Sequence, residues 1–412
     1  MRLSRGIKGD VKMLYDLTSI VSRIKEVVKN DLQVPTDPWS RSERSFTEYA
    51  APPEEWYHPS IIEEDEEEHS IKLLDYPLIK EYSEVRNEWL DLIKDRFVYG
   101  IDGSSAPVRR EELIYIIARA GYYSYPRNKP EQVGILSLHD AFFIIDRGFV
   151  KNMDKLIKAD PESQRIRIYE SDLQKGTLLV TWDMQSRRSL KHSYVAVRAR
   201  LQGLTEVIGL EELIKIVDKE DSEEVIFLID GPLYPVSTNC DREVLPRFRE
   251  ADKKNILVCG ITKRIETRML VSHLAKIHKI EKERYGSDLS FLHRLLKPMN
   301  ATAFFLWENR ARLKRVPEEW LPTSCYFMTI RGEIYRLDLP YKYYEEKRAE
   351  EMLKLTLALS IANGGGLPLP VDRADRRWSF SMEERKILAR NLDNFVKQIL
   401  GVDLTKPYGE GV

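Results

Sequence analysis

Cysteine is scarce in this chain. Its 412 residues include three, Cys240, Cys259 and Cys325, with no Cys-x-x-Cys pair. That spacing offers neither a disulfide framework nor a thiolate zinc site, and it fits a reducing compartment. Long apolar runs are also missing. No stretch approaches the ~20 consecutive apolar residues that cross a bilayer, so no membrane segment is expected. Residues 1–12 are basic but carry no apolar run and no small-residue cleavage site, so a signal peptide is not expected. There is no Gly-x-x-x-x-Gly-Lys-Ser/Thr, which removes the strongest argument for a phosphotransferase of the sugar kinase or phosphatase kind. The run Asn363-Gly364-Gly365-Gly366 is by itself a weak phosphate signal. The histidines, at 58, 69, 139, 192, 273, 278 and 293, form no recognisable nucleophile arrangement. His273 and His278 are five apart, so they do not share a helix face as a zinc pair would.

An excess of charge of one sign is lacking too. Lys and Arg number 65 against 66 Asp and Glu. This total neither marks nor excludes a nucleic-acid binder, because patches count for more than sums. The sum hides segregation. Residues 62–68, Ile-Glu-Glu-Asp-Glu-Glu-Glu, form an acidic run. Basic clusters stand at Arg187–Arg188, Arg198–Arg200, Lys263–Arg264, Arg310–Arg315 and Arg373–Arg377.

The apolar fraction of 42% suits a globular chain with one large domain and appendages, or two domains. Apolar spacing predicts a helix over 10–30, an irregular Pro- and aromatic-rich stretch over 31–62, and a second helix over 77–95. From Phe97 the pattern turns to strands: Phe97–Asp102 ending in a Gly-Ser-Ser turn, then Leu113–Tyr123, Val133–Ile145 and Thr177–Asp183, with a polar insertion over 146–172. A helix is predicted over 189–218, strands at Val225–Asp230 and Ile256–Ile261, and a basic helix over 265–284. A hairpin over Tyr326–Leu339 turns at Arg331-Gly332. Two helices, 344–362 and 381–400, flank a loop over 363–370. This order predicts a mixed α/β fold, a mixed central sheet with helices on its faces. The expected division is an N-terminal helical segment, 1–95, with an irregular insert and the acidic run, and a second unit over 96–412.

Chemistry concentrates at Ile101-Asp102-Gly103-Ser104 and Ile229-Asp230-Gly231-Pro232. Each sets a carboxylate at the end of an apolar strand, followed at once by glycine. Strand ends hold a side chain rigidly, and glycine lets the backbone turn or a ligand approach. An Asp-Gly step also simply marks a turn. Two such steps after runs as apolar as Phe-Val-Tyr-Gly-Ile and Val-Ile-Phe-Leu-Ile ask for more, since a buried acid is costly without a partner. Neighbouring carboxylates can share a hard divalent cation. A third acid is expected from the helix before Val225. Glu206 lies in line with the apolar stripe of Leu210, Leu213, Ile214 and Val217, and Glu211 is the alternative.

These residues resemble the NurA nuclease family. The similarity is carried by Tyr-Gly-Ile-Asp-Gly-Ser (99–104), Phe-Leu-Ile-Asp-Gly-Pro-Leu (227–233), Gly-Ile-Thr-Lys (260–263), Ile-Tyr-Arg-Leu-Asp-Leu-Pro (334–340) and the stretch from Asn363 to Asp375. The five blocks come in the family's order and span roughly 97 to 400. The resemblance implies an RNase H-like core, with the 96–412 unit as the nuclease domain, and a divalent metal, Mn²⁺ or Mg²⁺. It also implies 5′ to 3′ exonuclease and single-strand endonuclease action on DNA, single-stranded or at duplex ends. A homodimer working with a HerA-type hexameric ATPase in double-strand break end resection is implied as well, in an archaeal cytoplasm, at the nucleoid. Residue by residue, it makes Asp102 and Asp230 metal-binding aspartates, with Glu206 or Glu211 as the helix glutamate. Lys263 becomes a catalytic lysine that holds the scissile phosphate. Asp375 becomes a further ligand, and Arg336, Arg373, Arg376 and Arg377 become contacts to the DNA backbone. Two departures stand out. No histidine follows residue 293, so Asp375 has to serve where the family often has histidine. Gly-Gly-Gly-Leu-Pro replaces a common Gly-Tyr-Pro. The lost histidine keeps a competing reading in view: a non-catalytic RNase H-like scaffold that binds DNA or the ATPase.

Overall fold

A computed structural model describes residues 71–75, 78–94, 96–110, 113–125, 132–144, 166–168, 177–182, 189–217, 224–235, 238–263, 265, 270–271, 287–307, 313–400 and 403–404. The helix expected over 10–30, the irregular stretch after it, the acidic run, Arg187–Arg188, and His273 and His278 fall outside these residues. So does most of the helix expected over 265–284.

In chain order the strands are β1 (Ile71–Leu73), β2 (Ile79–Glu81), β3 (Arg96–Arg109), β4 (Leu113–Tyr125), β5 (Val133–Ile144), β6 (Ile166–Ile168), β7 (Thr177–Trp182), β8 (Glu224–Asp230), β9 (Ile256–Thr262), β10 (Asn300–Thr302), β11 (Phe305–Trp307), β12 (Pro322–Met328) and β13 (Ile334–Pro340). The helices are α1 (Val85–Ile93), α2 (Ser189–Ile216), α3 (Leu245–Lys253), α4 (Asp288–Leu295), α5 (Tyr341–Glu345), α6 (Ala349–Ala362), α7 (Leu369–Trp378) and α8 (Met382–Leu400).

All the strands join one mixed sheet. Its centre runs β5–β4–β3–β8–β9. The first three form an antiparallel meander, and β8 and β9 then add parallel to β3. A meander followed by a helical crossover into two parallel strands is the RNase H-like arrangement. Strand β13 extends it antiparallel to β9, followed by β12, β11 and β1.

The central strands are covered on both faces, which explains their near-continuous apolar sequence. Side chains alternate across a strand. Val98, Ile226, Leu228, Leu257 and Cys259 therefore pack on one face with α6 and Val371 of α7. Tyr99, Ile101, Phe227, Ile229 and Val258 pack on the other, with Val207, Leu210 and Leu213 of α2 and Phe248 of α3. No helix of the described residues is long and apolar enough to cross a membrane.

Several expectations change. The helix predicted over 77–95 begins only at Val85, because Ile79–Glu81 pairs with β10. With β1 paired to β11, the sheet also takes in residues on the N-terminal side of position 95. A single helix over 344–362 is two, broken at Lys347, whose φ is +59°. The loop predicted through residue 370 ends earlier. Helix α7 starts at Leu369 with Pro370 in its first turn, where a missing N–H costs nothing.

Candidate metal centre

The site is built from the middle of β3. Asp102 does not end a strand: the ladder continues through Gly103, Ser104 and Ser105 to Arg109, and Asp102 pairs with Gly121 of β4. The Gly-Ser-Ser turn expected there does not occur. Each small residue instead makes room for something docked on the sheet. A Cβ on Gly100 would lie 2.1 Å from the carbonyl oxygen of Pro370, so the start of α7 rests on bare backbone. A Cβ on Gly121 would lie 2.3 Å from the Trp378 indole, at the other end of α7. On the opposite face, a Cβ on Gly103 would meet Cγ of Glu206 at 2.2 Å. Asp230–Gly231 is a true turn: β8 ends at Asp230 and Gly231 has φ +125°.

Helix α7 crosses β3 between the two glycine slots and carries Asp375 above Asp102. Carboxylate oxygens of Asp102, Asp230 and Asp375 all lie within 4.8 Å of one another. Lys263, just past β9, closes the group. Its Nζ is 2.5 Å from Asp230 Oδ2 and 2.8 Å from Asp375 Oδ2. Asp102 is buried, and its Oδ2 has no hydrogen-bond donor. Burial pushes the Asp102 carboxyl well above the usual carboxylate range, and the Asp230 charge pushes it further. Asp230 is also raised by burial, opposed by the ammonium of Lys263. Burial pulls Lys263 down, but the charges of Asp230 and Asp375 hold it above its ordinary value.

Glu206 approaches from the other side of β3. Its Oε1 accepts from Gln202 Nε2 at 3.0 Å, one helical turn earlier. The same nitrogen donates to the Gly103 carbonyl, and Gln202 Oε1 accepts from Ser105. Burial raises the Glu206 carboxyl to about 7; Gln202 opposes this and the Asp230 charge adds to it. Glu206 is thus near the cluster electrostatically but outside the three acids whose oxygens converge.

Glu211 is elsewhere. Five residues further along α2, it is held at the surface by Arg247 at 2.6 Å and Lys215 at 2.9 Å. Arg336 is not at a surface that could follow a DNA backbone. It is buried, pairs with Asp338 at 2.9 Å and lies over Trp307. Arg373, Arg376 and Arg377 are exposed on α7, although Arg376 pairs with Asp372. Trp378 and Tyr123 are buried together in the core beneath α7.

The sequence reading missed Gln202, Arg119 and Ser379. Gln202 was visible as the residue four before Glu206, on the same helix face. Ser381-x-x-Glu384, a capping box that starts α8, marked where α7 had to end.

This fold and site define an RNase H-like protein with a three-aspartate cluster that fits a divalent cation. A model of the NurA domain matches residues 97–380, well over half of the sequence, and the chain belongs to that family. Membership implies a nuclease. Similar solved structures include NurA with manganese, at 9% identity over 77% of this chain and 93% of that one, with a TM-score of 0.37. NurA bound to dAMP and manganese stands at 12% identity, 75% and 92% coverage, and a TM-score of 0.38. An endonuclease V from Bacillus subtilis stands at 11% identity, 74% and 91% coverage, and a TM-score of 0.28. A comparison with curated proteins gave no match.

Proposed function

We propose that the chain is a metal-dependent DNA nuclease whose centre is Asp102, Asp230 and Asp375. The observation that carries this reading is the convergence of three carboxylates, one of them buried with an oxygen that no donor satisfies. Within one protein such an arrangement is repulsive, and a cation relieves it. The donors are all oxygen, which suits a hard ion, Mn²⁺ or Mg²⁺. Asp102, Asp230 and Asp375 would hold it, with Glu206 as the fourth acid. Such an ion supplies a water of lowered pKa and charge stabilisation for phosphodiester hydrolysis.

The residues around the acids have their own tasks. Lys263 is the cation that faces the cluster. It balances Asp230 and Asp375 and presents an ammonium to a phosphate brought to them. Arg373, Arg376 and Arg377 on the outer side of α7 meet the DNA backbone. Gln202 keeps the Glu206 carboxylate aimed along α2. The placement of Asp375 beside Asp102 answers the missing C-terminal histidine, and it favours catalysis over the scaffold reading.

The finer reading follows the family: 5′ to 3′ exonuclease and single-strand endonuclease action on single strands and duplex ends, in end resection with a HerA-type hexameric ATPase, as a cytoplasmic homodimer. The test is cleavage of 5′- and 3′-labelled single-stranded DNA with Mn²⁺, with Mg²⁺ and with EDTA. Metal-dependent release of the 5′ label first supports the whole scheme, and release of the 3′ label first corrects the polarity alone. DNA binding without cleavage in either metal, with and without the ATPase, would return the scaffold.

A further inference from the structure

Arg119 is the most deeply buried charged side chain near the site, at 2% exposure, and nothing in the hydrolytic scheme uses it. It stands on β4 opposite Ser104, on the same face of the sheet as Asp102 and Gly121. Its Nε donates to the Trp378 carbonyl at 2.6 Å and its Nη2 to the Ser379 carbonyl at 2.9 Å. The other edge of the fork meets Glu384, at 2.9 and 3.2 Å. The guanidinium plane lies 4.1 Å from the Phe380 ring centre. Arg119 therefore caps the C-terminal end of α7, where carbonyls lack helical partners and a positive charge is favoured. It also binds the acid that opens α8.

The grip reaches the metal centre in one further step. Ser379, held by Arg119, donates from Oγ to Asp375 Oδ1 at 3.1 Å, and its backbone N–H donates to the Asp375 carbonyl at 2.9 Å. Asp375 is thus oriented with Oδ1 on Ser379 and Oδ2 on Lys263. Beside it, Phe380 N–H donates to Ser104 Oγ at 3.2 Å, which fixes this corner two residues from Asp102. The Asp375 carboxylate is partly exposed, at 38%, and sits on a helix of ten residues. Without such anchors a short surface helix would let it swing.

We infer that Arg119 and Ser379 are positioning residues for the metal centre: Arg119 fixes the end of α7, and Ser379 passes that constraint to one oxygen of Asp375. The inference rests on the metal-centre reading given above. Ser379, one hydrogen bond from a ligand, is a partner of the kind whose loss changes metal affinity by about 10- to 100-fold, and Arg119 acts through it.

The test measures Mn²⁺ binding to the full chain by calorimetry, with thermal melting alongside. The variants are Ser379→Ala, Arg119→Lys, Asp375→Asn, Asp102→Asn and the doubles of the first two with Asp375→Asn. Ser379 is exposed, so Ser379→Ala folds and keeps the inference testable even if Arg119→Lys does not. We expect Ser379→Ala and Arg119→Lys each to weaken Mn²⁺ binding about 10-fold. Neither should weaken it further once Asp375 is Asn, because both act through that carboxylate. Wild-type affinity in either single variant, while Asp102→Asn loses binding, would overturn the role of that residue. So would a loss that adds fully to that of Asp375→Asn, since the residue would then act elsewhere. Wild-type affinity in Asp102→Asn would instead overturn the metal centre itself.

Discussion

The chain contains two Asp-Gly steps that look alike in sequence and differ in structure. At Asp230-Gly231 the strand stops, and glycine is required by its backbone: φ is +125°, and a Cβ would meet nothing within 4 Å. At Asp102-Gly103 the strand runs on for seven more residues. Here glycine is required by its neighbour, since Glu206 occupies the space of a Cβ. The two acids differ in the same way. Asp230 is partnered by Lys263 at 2.5 Å, whereas Asp102 keeps an oxygen without a donor. One step is a turn that ends at a salt bridge. The other is a seam in the sheet, with an acid on one face and a docked helix on the other.

Replacing the acids should sharpen this contrast most. Asp102→Asn and Asp230→Asn should each cut cleavage about 10³-fold or more, the scale of losing a metal's several kcal/mol of charge stabilisation. Their stabilities without metal should diverge. Asp102→Asn removes a raised, repelled carboxylate and offers an amide donor to Asp230, so its melting temperature should rise. Asp230→Asn breaks the pair with Lys263 and leaves the ammonium half-buried with Asp375 alone, so its melting temperature should fall. Equal shifts in melting would show that the two acids share one environment, against the geometry.

The glycines come next. Gly231→Ala should cost about 1–3 kcal/mol through backbone strain alone. Gly103→Ala should cost a similar 1–3 kcal/mol through overpacking, and it should displace Glu206. The two are separated by adding Glu206→Ala, which removes the atom that a Cβ on residue 103 would strike. Chemical denaturation should show the Gly103→Ala penalty largely relieved in that background and the Gly231→Ala penalty unchanged. Relief of both, or of neither, would break the distinction.

Much of this was legible beforehand, for identifiable reasons. The apolar runs into Asp102 and Asp230 announce buried parallel strands, because helices on both faces leave no polar side. Asp375 and Lys263 could be named from the resemblance, but their meeting could not. It depends on α7, whose ten residues carry an Arg-rich outer face and read as an extension of the preceding loop. Gly100 and Gly121 explain why that helix lies flat on the sheet, yet nothing in the sequence says what fills their space. Arg336 misled for a related reason. Asp338, two residues later in the predicted strand, already shares its face; what only the fold shows is that this face is buried, with Asp338 holding the arginine inside.

Glu206 isolates the helix side of the seam through pH alone. Its carboxyl titrates at about 7 in the folded chain against an ordinary 4.5, chiefly because α2 and β3 bury it. The folded state therefore keeps this proton longer than the unfolded state does. The chain is favoured at or below about pH 4.5, loses stability as pH rises from there to about 7, and changes little from this source above. The full shift corresponds to at most about 3 kcal/mol. Glu206→Gln keeps an oxygen for Gln202 and cannot ionise. Its melting temperature, measured without metal, should match the wild type near pH 4.5 and exceed it by a few degrees at pH 8. Coincident curves at both pH values would mean that Glu206 is solvated rather than pressed against Gly103. That result would also remove the reason given for the glycine.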